Sequence, residues 1–242
     1  MFERSYTIEG FMCENDRLSL RYIGHLLSDI MERNANSYGA TALYHHERNL
    51  AWVLTEYEVD FHVLPKRGET IMMGTLPYSF KRMFGYRIYR MRHDEHTLLE
   101  GKGKFVLINY QTKTIVKPDQ ALLDLFTDAK QEPEALPFEK MNPSKVHKLY
   151  SESTKVLESY IDINRHMNNA AYIALAYDYL RRSLRQSKDI TGLKVLYRKE
   201  AFYEEILELT YYQEHNGIYL EIATESELKC QILFKQKQHP IE

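Results

Sequence analysis

The stretch Val59-Asp60-Phe61-His62-Val63-Leu64-Pro65-Lys66-Arg67-Gly68-Glu69-Thr70-Ile71 can be laid without a gap over Val195-Leu196-Tyr197-Arg198-Lys199-Glu200-Ala201-Phe202-Tyr203-Glu204-Glu205-Ile206-Leu207. Identity between the two is slight, so the weight falls on the elements around each copy. Upstream of the first copy, Leu20, Ile23, Leu27, Ile30 and Met31 recur at helical spacing and predict a helix over 19–36, with Asp16 or Ser19 as its cap. A strand candidate at 6–11 precedes it. The strand holding the first copy alternates cleanly: Val53, Tyr57, Val59, Phe61 and Val63 face one way, and Glu56, Glu58, Asp60 and His62 the other. Strands at 70–80, 85–92 and 97–110 follow, the last two joined by the polar turn His93-Asp94-Glu95-His96.

The second half repeats this order. A strand candidate at 155–160 leads to a helix at 168–185 and then to strands at 192–201, 206–213, 218–226 and 229–236, with Gly217 marking a hairpin turn. Between the halves, 127–148 is polar, carries Pro133, Pro137 and Pro143, and lacks periodicity, which reads as a linker. The expectation is therefore an N-terminal unit over 1–126, a linker over 127–148 and a C-terminal unit over 149–242. Strand, long helix and four antiparallel strands, occurring twice, predict an α+β chain of the tandem (double) hotdog kind. In that arrangement two curved antiparallel sheets each wrap a long helix and join into one continuous sheet.

Composition narrows the function classes. The chain has 242 residues, 44% hydrophobic and 27% charged, with 32 Lys+Arg against 34 Asp+Glu. A net charge of −2 argues against a wholesale nucleic-acid binder, which is usually basic. Cys13 and Cys230 are too few for a disulfide framework and fit a reducing, cytoplasmic setting. Charges within 1–5 stand where a signal peptide needs an apolar run, and no apolar stretch approaches a membrane span. Nineteen tyrosines suit strands, and none is given a catalytic role.

The densest polar cluster at an element boundary is Asp162-Ile163-Asn164-Arg165-His166-Met167-Asn168-Asn169-Ala170-Ala171-Tyr172. Asn168 or Asn169 can cap the helix that follows, and its first-turn N–H groups can hold a developing oxyanion. In an extended segment Asp162, Asn164 and His166 would face one way. This Asp-x-Asn-x-His-x-Asn-Asn-x-x-Tyr pattern resembles the active-site motif of the acyl-acyl carrier protein (acyl-ACP) thioesterases of plants and bacteria. The stretch Leu196-Tyr197-Arg198-Lys199-Glu200 resembles that family's second motif, a strand bearing a catalytic glutamate. In the first half, 85–89, 105–109 and 112–118 look like the strands and exit segment of the family's first hotdog.

The resemblance implies hydrolysis of a fatty acyl thioester on acyl carrier protein, releasing free fatty acid and ending elongation. It implies Asp162, Asn164, His166 and Glu200 as the catalytic set, with no metal and no cofactor. Many plant members carry cysteine after the glutamate, whereas this chain has Ala201, so a cysteine nucleophile is hard to sustain. Water attack remains, with Glu200 as general base or, as the lesser alternative, nucleophile. Leu64 stands where the first copy would need the glutamate, so one active site per chain is expected. The first unit is expected to hold the acyl chain, with Leu26, Leu27, Ile30 and Met31 as a pocket wall; a plain core role is the competing reading of that stripe.

Arg181, Arg182, Arg185 and Lys188, with Lys194, Arg198 and Lys199, form a basic run opposed only by Asp189. They suit docking of an acidic carrier protein, or simply a solvated helix end. Asp162 and His166 lack further ligands at metal spacing, and His93/His96 and His45/His46 read as a turn and a surface pair. Neither a G-x-S-x-G elbow nor a phosphate loop occurs. The alternatives kept open are an acyl-CoA thioesterase or hydroxyacyl dehydratase on the same fold, and a non-catalytic acyl-binding protein. Neither a nucleic-acid nor a membrane partner is expected, and the assembly is a monomer or a homodimer.

Overall fold

The computed structural model describes residues 1–130, 134–180 and 190–237. The first unit takes in Met1–Leu18, His25–Tyr57 and His62–Phe138. Its strands are β1 (Phe2–Thr7), β2 (Cys13–Glu14), β3 (Arg17–Leu18), β4 (Leu50–Phe61), β5 (Thr70–Lys81), β6 (Phe84–His93), β7 (His96–Asn109) and β8 (Thr114–Ile115). The main sheet runs β1-β5-β6-β7-β4 with β8 beside β7. The β6–β7 hairpin closes at the expected polar turn, where His93 pairs with His96. Helix α1 (Ile23–Ser37) buries Leu26, Leu27 and Ile30. Polar ties run from helix to strands as well: Tyr6 OH donates to Asp29 Oδ2 at 2.6 Å, and Arg87 Nη1 to Asn34 Oδ1 at 2.6 Å.

The second unit takes in Ser19–Gly24, Glu58–Phe61 and the chain from Glu139 onward. Its strands are β9 (His147–Lys155), β10 (Ile190–Tyr197), β11 (Ile206–Glu214), β12 (Gly217–Ala223) and β13 (Leu228–Gln236), in the order β10-β13-β12-β11-β9. At the tight β11–β12 connection Gly217 has φ +147°, a left-handed value that favours glycine. The long helix of this unit (Asn169–Tyr179) is buried at Ala170, Ala171, Tyr172, Ile173, Leu175, Ala176 and Tyr177. A helix apolar all round needs cover on more than one side. The sheet supplies one cover: Tyr211 OH donates to Ala176 O at 2.8 Å, and Tyr177 meets Phe234 ring to ring. The turn Leu20–Tyr22 and Gly24 supply another. Among the described residues, no helix is long and apolar enough to cross a membrane.

Several expectations need correction. The strand expected at 155–160 is β9, eight residues earlier; Glu158–Tyr160 is a 3-10 turn. β9 is an edge strand with one buried side chain, Tyr150, stacked on Tyr211, so it carries no apolar alternation to read. The first strand likewise ends at Thr7, not at 11. Neither Asp16 nor Ser19 caps α1. Asn15 and Asp16 have positive φ between β2 and β3, as a tight hairpin requires, and Ser19 makes no capping bond before the 3-10 turn at Leu20–Tyr22. Two short helices, α2 (Ala42–Glu47) and α3 (Gln120–Leu125), were not expected; with the long second-unit helix as α4, the count in chain order is complete for the described residues. Finally, the charged face of β4 is divided: Glu56 and Glu58 are 7% and 4% exposed, while Asp60 and His62 are open to solvent.

Candidate active site

The segment between β9 and α4 folds back on itself. Ile161 and Met167 form an antiparallel bridge, and the five residues between them make a tight turn. Asp162 N–H donates to His166 O at 3.0 Å and Arg165 N–H to Asp162 O at 2.9 Å, with Arg165 at φ +64°. The segment is therefore not extended, and the alternation argument for Asp162, Asn164 and His166 does not hold. Asp162 organises the turn instead. Its Oδ1 accepts the Asn164 N–H at 2.8 Å and its Oδ2 the Asn168 Nδ2 at 3.4 Å. Asn164 is exposed, and its side chain makes no hydrogen bond among the described residues.

Asn168 is the N-cap: its Oδ1 accepts the Ala170 N–H at 2.8 Å. Its own N–H donates to Tyr160 O, and the Ala171 N–H returns to Asn168 O, so the Asn169 N–H is the first-turn donor left over among the described residues. The turn is tied to the loop after β10 by the Met167 N–H, which donates to Ala201 O at 2.8 Å. Two tyrosines that sequence reasoning passed over complete the tie. Tyr197 OH donates to Asn169 O at 2.9 Å, and Tyr172 OH approaches Lys199 O at 3.4 Å. Burial pushes the Tyr172 phenol well up, so it stays a neutral donor.

These ties bring two of the four expected catalytic side chains face to face. His166 Nε2 stands 3.8 Å from Glu200 Oε1, with the side chains 24% and 38% exposed. The separation is too long for a direct hydrogen bond. His166 Nδ1 lies 3.3 Å from Met167 O, a contact that suits the proton on Nδ1 and a lone pair on Nε2.

The other two, Asp162 and Asn164, lie in the same turn, and the cysteines, set aside as nucleophiles, lie on other elements. Cys230 is buried on β13, and burial pushes its thiol far up, away from thiolate chemistry. Cys13 lies on β2 in the first unit. In that unit Leu64 takes the place of Glu200, and Leu18 N–H donates to Pro65 O as Met167 N–H does to Ala201 O. The gap-free overlay thus has matching backbone bonds, without the carboxylate. Leu26, Leu27 and Ile30 are buried and Met31 half-buried on α1. Arg181, Arg182, Arg185 and Lys188 lie outside the described residues. Lys194 leaves the basic patch: it is 1% exposed and ion-paired with Glu58 at 3.2 Å. Among the described residues no group of three His, Cys, Asp or Glu could hold a metal.

Comparison with known proteins gives the family and the fold. The acyl-ACP thioesterase N-terminal domain matches residues 1–126, and the C-terminal domain of the same family matches 144–239. A curated relative, the chloroplastic acyl-acyl carrier protein hydrolase FATB3 of Cuphea viscosissima, is 22% identical over 229 residues. That match covers 86% of this chain and 53% of the relative, so the chain spans about half of that protein's length. Among solved structures, one described as an oleoyl thioesterase of Lactobacillus plantarum superposes with a TM-score of 0.85 at 19% identity, over 99% of this chain and 96% of that one. An acyl-ACP thioesterase of Bacteroides thetaiotaomicron gives 0.83 at 20% identity, over 98% and 97%. These likenesses show the fold, which is the expected hotdog plan, and the two domain matches together show that the chain belongs to the acyl-ACP thioesterase family.

Proposed function

We propose that the chain hydrolyses the thioester of fatty acyl-acyl carrier protein, releasing free fatty acid. The observation that carries the reading is the His166–Glu200 pair at the head of α4, 3.8 Å apart and open to solvent. One water about 2.8 Å from each partner bridges such a pair by hydrogen bonds to both. With the proton on Nδ1, His166 Nε2 accepts one water hydrogen and Glu200 accepts the other. As the water oxygen bonds to the acyl carbon, its proton passes to Glu200, a step typically worth ~10²–10⁴-fold. The carbonyl oxygen gains the charge, and in this reading the N–H of Asn169 at the α4 terminus receives it. The C–S bond then breaks, the thiolate of the carrier's pantetheine arm leaves, and the proton on Glu200 returns to it. Asp162 and Asn168 act by holding the turn and the helix cap. Asn164 is reserved for contact with the bound thioester, which its exposure supports.

The substrate assignment rests on the family. The first-unit stripe Leu26, Leu27, Ile30 and Met31 is carried as the acyl-pocket wall, and Arg181, Arg182, Arg185 and Lys188 as the carrier's docking residues. Two free cysteines support a reducing, cytoplasmic setting.

Thiol release from acyl-ACP and acyl-CoA, measured side by side, tests the reading. Glu200→Ala and His166→Ala should each lose at least ~10²-fold in kcat on acyl-ACP, while Cys13→Ser with Cys230→Ser keeps activity. Full activity in Glu200→Ala, or loss in the cysteine double variant, sinks the mechanism; turnover of acyl-CoA alone sinks the substrate.

A further inference from the structure

Glu200 sits on the loop between β10 and β11, and the first five residues of that loop are held by the backbone and side chain of Lys229 and by its neighbours. Lys229, at the start of β13, is 3% exposed. Its carbonyl accepts two successive N–H groups, Arg198 at 2.9 Å and Lys199 at 3.1 Å. Its ammonium then reaches the next residue and donates to Glu200 O at 2.9 Å. The other donors go to Glu205, at 3.2 Å, and Glu227, at 3.2 Å. An ammonium has three donors, and all three have acceptors here. Glu205 in turn takes the Phe202 N–H on Oε2 at 3.1 Å, while Ala201 O is taken by Met167 N–H. Five consecutive residues, Arg198 to Phe202, are thus fixed directly by Lys229, by its partner Glu205, or by the His166 turn.

We propose that Lys229 is a positioning residue for Glu200, setting where its carboxylate stands against His166. The inference rests on the reading of Glu200 as general base. The first unit supplies a comparison: the matching carbonyl, Leu64 O, is also taken by a cation, Arg17 Nη1 at 2.6 Å. Arg17 comes from β3, however, whereas the residue that matches Lys229 is Leu98, whose carbonyl takes the His62 and Val63 N–H groups as Lys229 O takes those of Arg198 and Lys199. The lysine thus stands where the first unit has an apolar side chain, and only in the second unit does the residue it holds carry a carboxylate. A buried lysine is costly to retain unless fully paired, and a Met of similar length would fill the space without bonding the carbonyl.

The test is steady-state kinetics on acyl-ACP for Lys229→Met, Lys229→Arg, Glu227→Gln and Glu200→Gln. A displaced base loses rate without losing substrate, so Lys229→Met should drop kcat by ~10–100-fold with KM within ~3-fold, since misplacement by about 1 Å costs that order. Lys229→Arg keeps the charge and the pairing with Glu205, and should recover part of the loss. Glu227→Gln leaves the bond to Glu200 O and should stay within ~3-fold of wild type. Unchanged kcat in both Lys229 variants overturns the proposal, as does a loss in Glu227→Gln equal to that in Lys229→Met. If Lys229→Met does not fold, Lys229→Arg decides: a fall in kcat at constant KM supports the role, and full activity or a parallel rise in KM overturns it. Wild-type activity in Glu200→Gln would instead refute the general-base reading itself.

Discussion

Gly24 is where a single added carbon should be felt at the site. A Cβ built on it would lie 2.9 Å from both Cα and Cβ of Ala170 and 3.1 Å from Ile173 Cδ1. Carbon atoms pack at about 3.5–4.0 Å, so α4 must retreat by at least about 0.6 Å. Gly24 is the second residue of α1 and has no positive φ, so its backbone would accept alanine. Helix propensity and the stiffer unfolded chain together favour Gly24→Ala by about 1 kcal/mol, against about 1–3 kcal/mol for overpacking. The net expectation is a loss of about 0–2 kcal/mol, rising past about 3 kcal/mol for Gly24→Val, which is larger and β-branched. Activity should suffer more than stability. Ala170 N–H is the group that Asn168 caps, one residue beyond Asn169, so a 0.6 Å shift passes to the His166 turn. Since about 1 Å of misplacement costs ~10²-fold, kcat/KM should fall about tenfold in Gly24→Ala. Urea unfolding and thiol release on the same preparations read both quantities. Adding Ala170→Gly removes one of the three close atoms and should recover part of the stability. A Gly24→Ala protein that is more stable and fully active would show that this contact does not hold α4 in place.

Two further outcomes follow from buried polar groups. Tyr57 and Tyr89, 1% and 2% exposed, meet edge to face at 5.7 Å, and neither hydroxyl makes a close, well-aligned hydrogen bond among the described residues; each stands only near the other, with Ser28 beside Tyr57. Tyr57→Phe and Tyr89→Phe should therefore be neutral or slightly stabilising in urea, and a loss above about 2 kcal/mol in either would reveal a partner. Burial pushes the Glu214 carboxyl up, but the N–H groups of Lys145 and Ser144 and the Ser144 hydroxyl outweigh it and hold it below the usual range. A depressed carboxyl contributes stability above its unfolded value of about 4.3 and loses it as pH falls through the folded value. The stability gap between wild type and Glu214→Gln should thus be open at pH 7 and close as the pH drops below about 4; a gap that stays constant refutes the linkage.

How much of this was legible depended on how local the signal was. β5, β6, β7, β11 and β13 begin and end within two residues of expectation, because their apolar patterns are bounded by polar turns. The edge strand β9 was misplaced because one buried tyrosine in nine residues makes no pattern. β4 misled in the opposite way. Glu56 and Glu58 alternate like solvated residues, yet Glu58 is buried against Lys194 and accepts the Glu139 N–H at 3.1 Å. Chain from beyond the sheet meets Glu58, and no period in β4 can announce it. The same partnership removed Lys194 from a patch that charge counting had drawn.

The site divides along the same line. Asp162, His166 and Asn168 lie within seven residues, so their types and spacing could be read together, although the turn that joins them could not. Arg165 is the residue that bends the segment, and at φ +64° it adopts a backbone state no propensity scale predicts for arginine. Glu200 was found only through its own short motif. What places it is the register of β10 on β13, which sets Tyr197 opposite Cys230 and so brings Lys229 beneath the loop. Register is a property of two strands at once, and Lys229 lies twenty-nine residues from the group it holds. A one-residue slip of that pairing would carry Lys229 to the other face of the sheet, leave Glu200 on an unheld loop and preserve every motif in the sequence. Chemistry of this kind is written in a short segment, but its geometry is kept by a distant lysine that has no motif of its own.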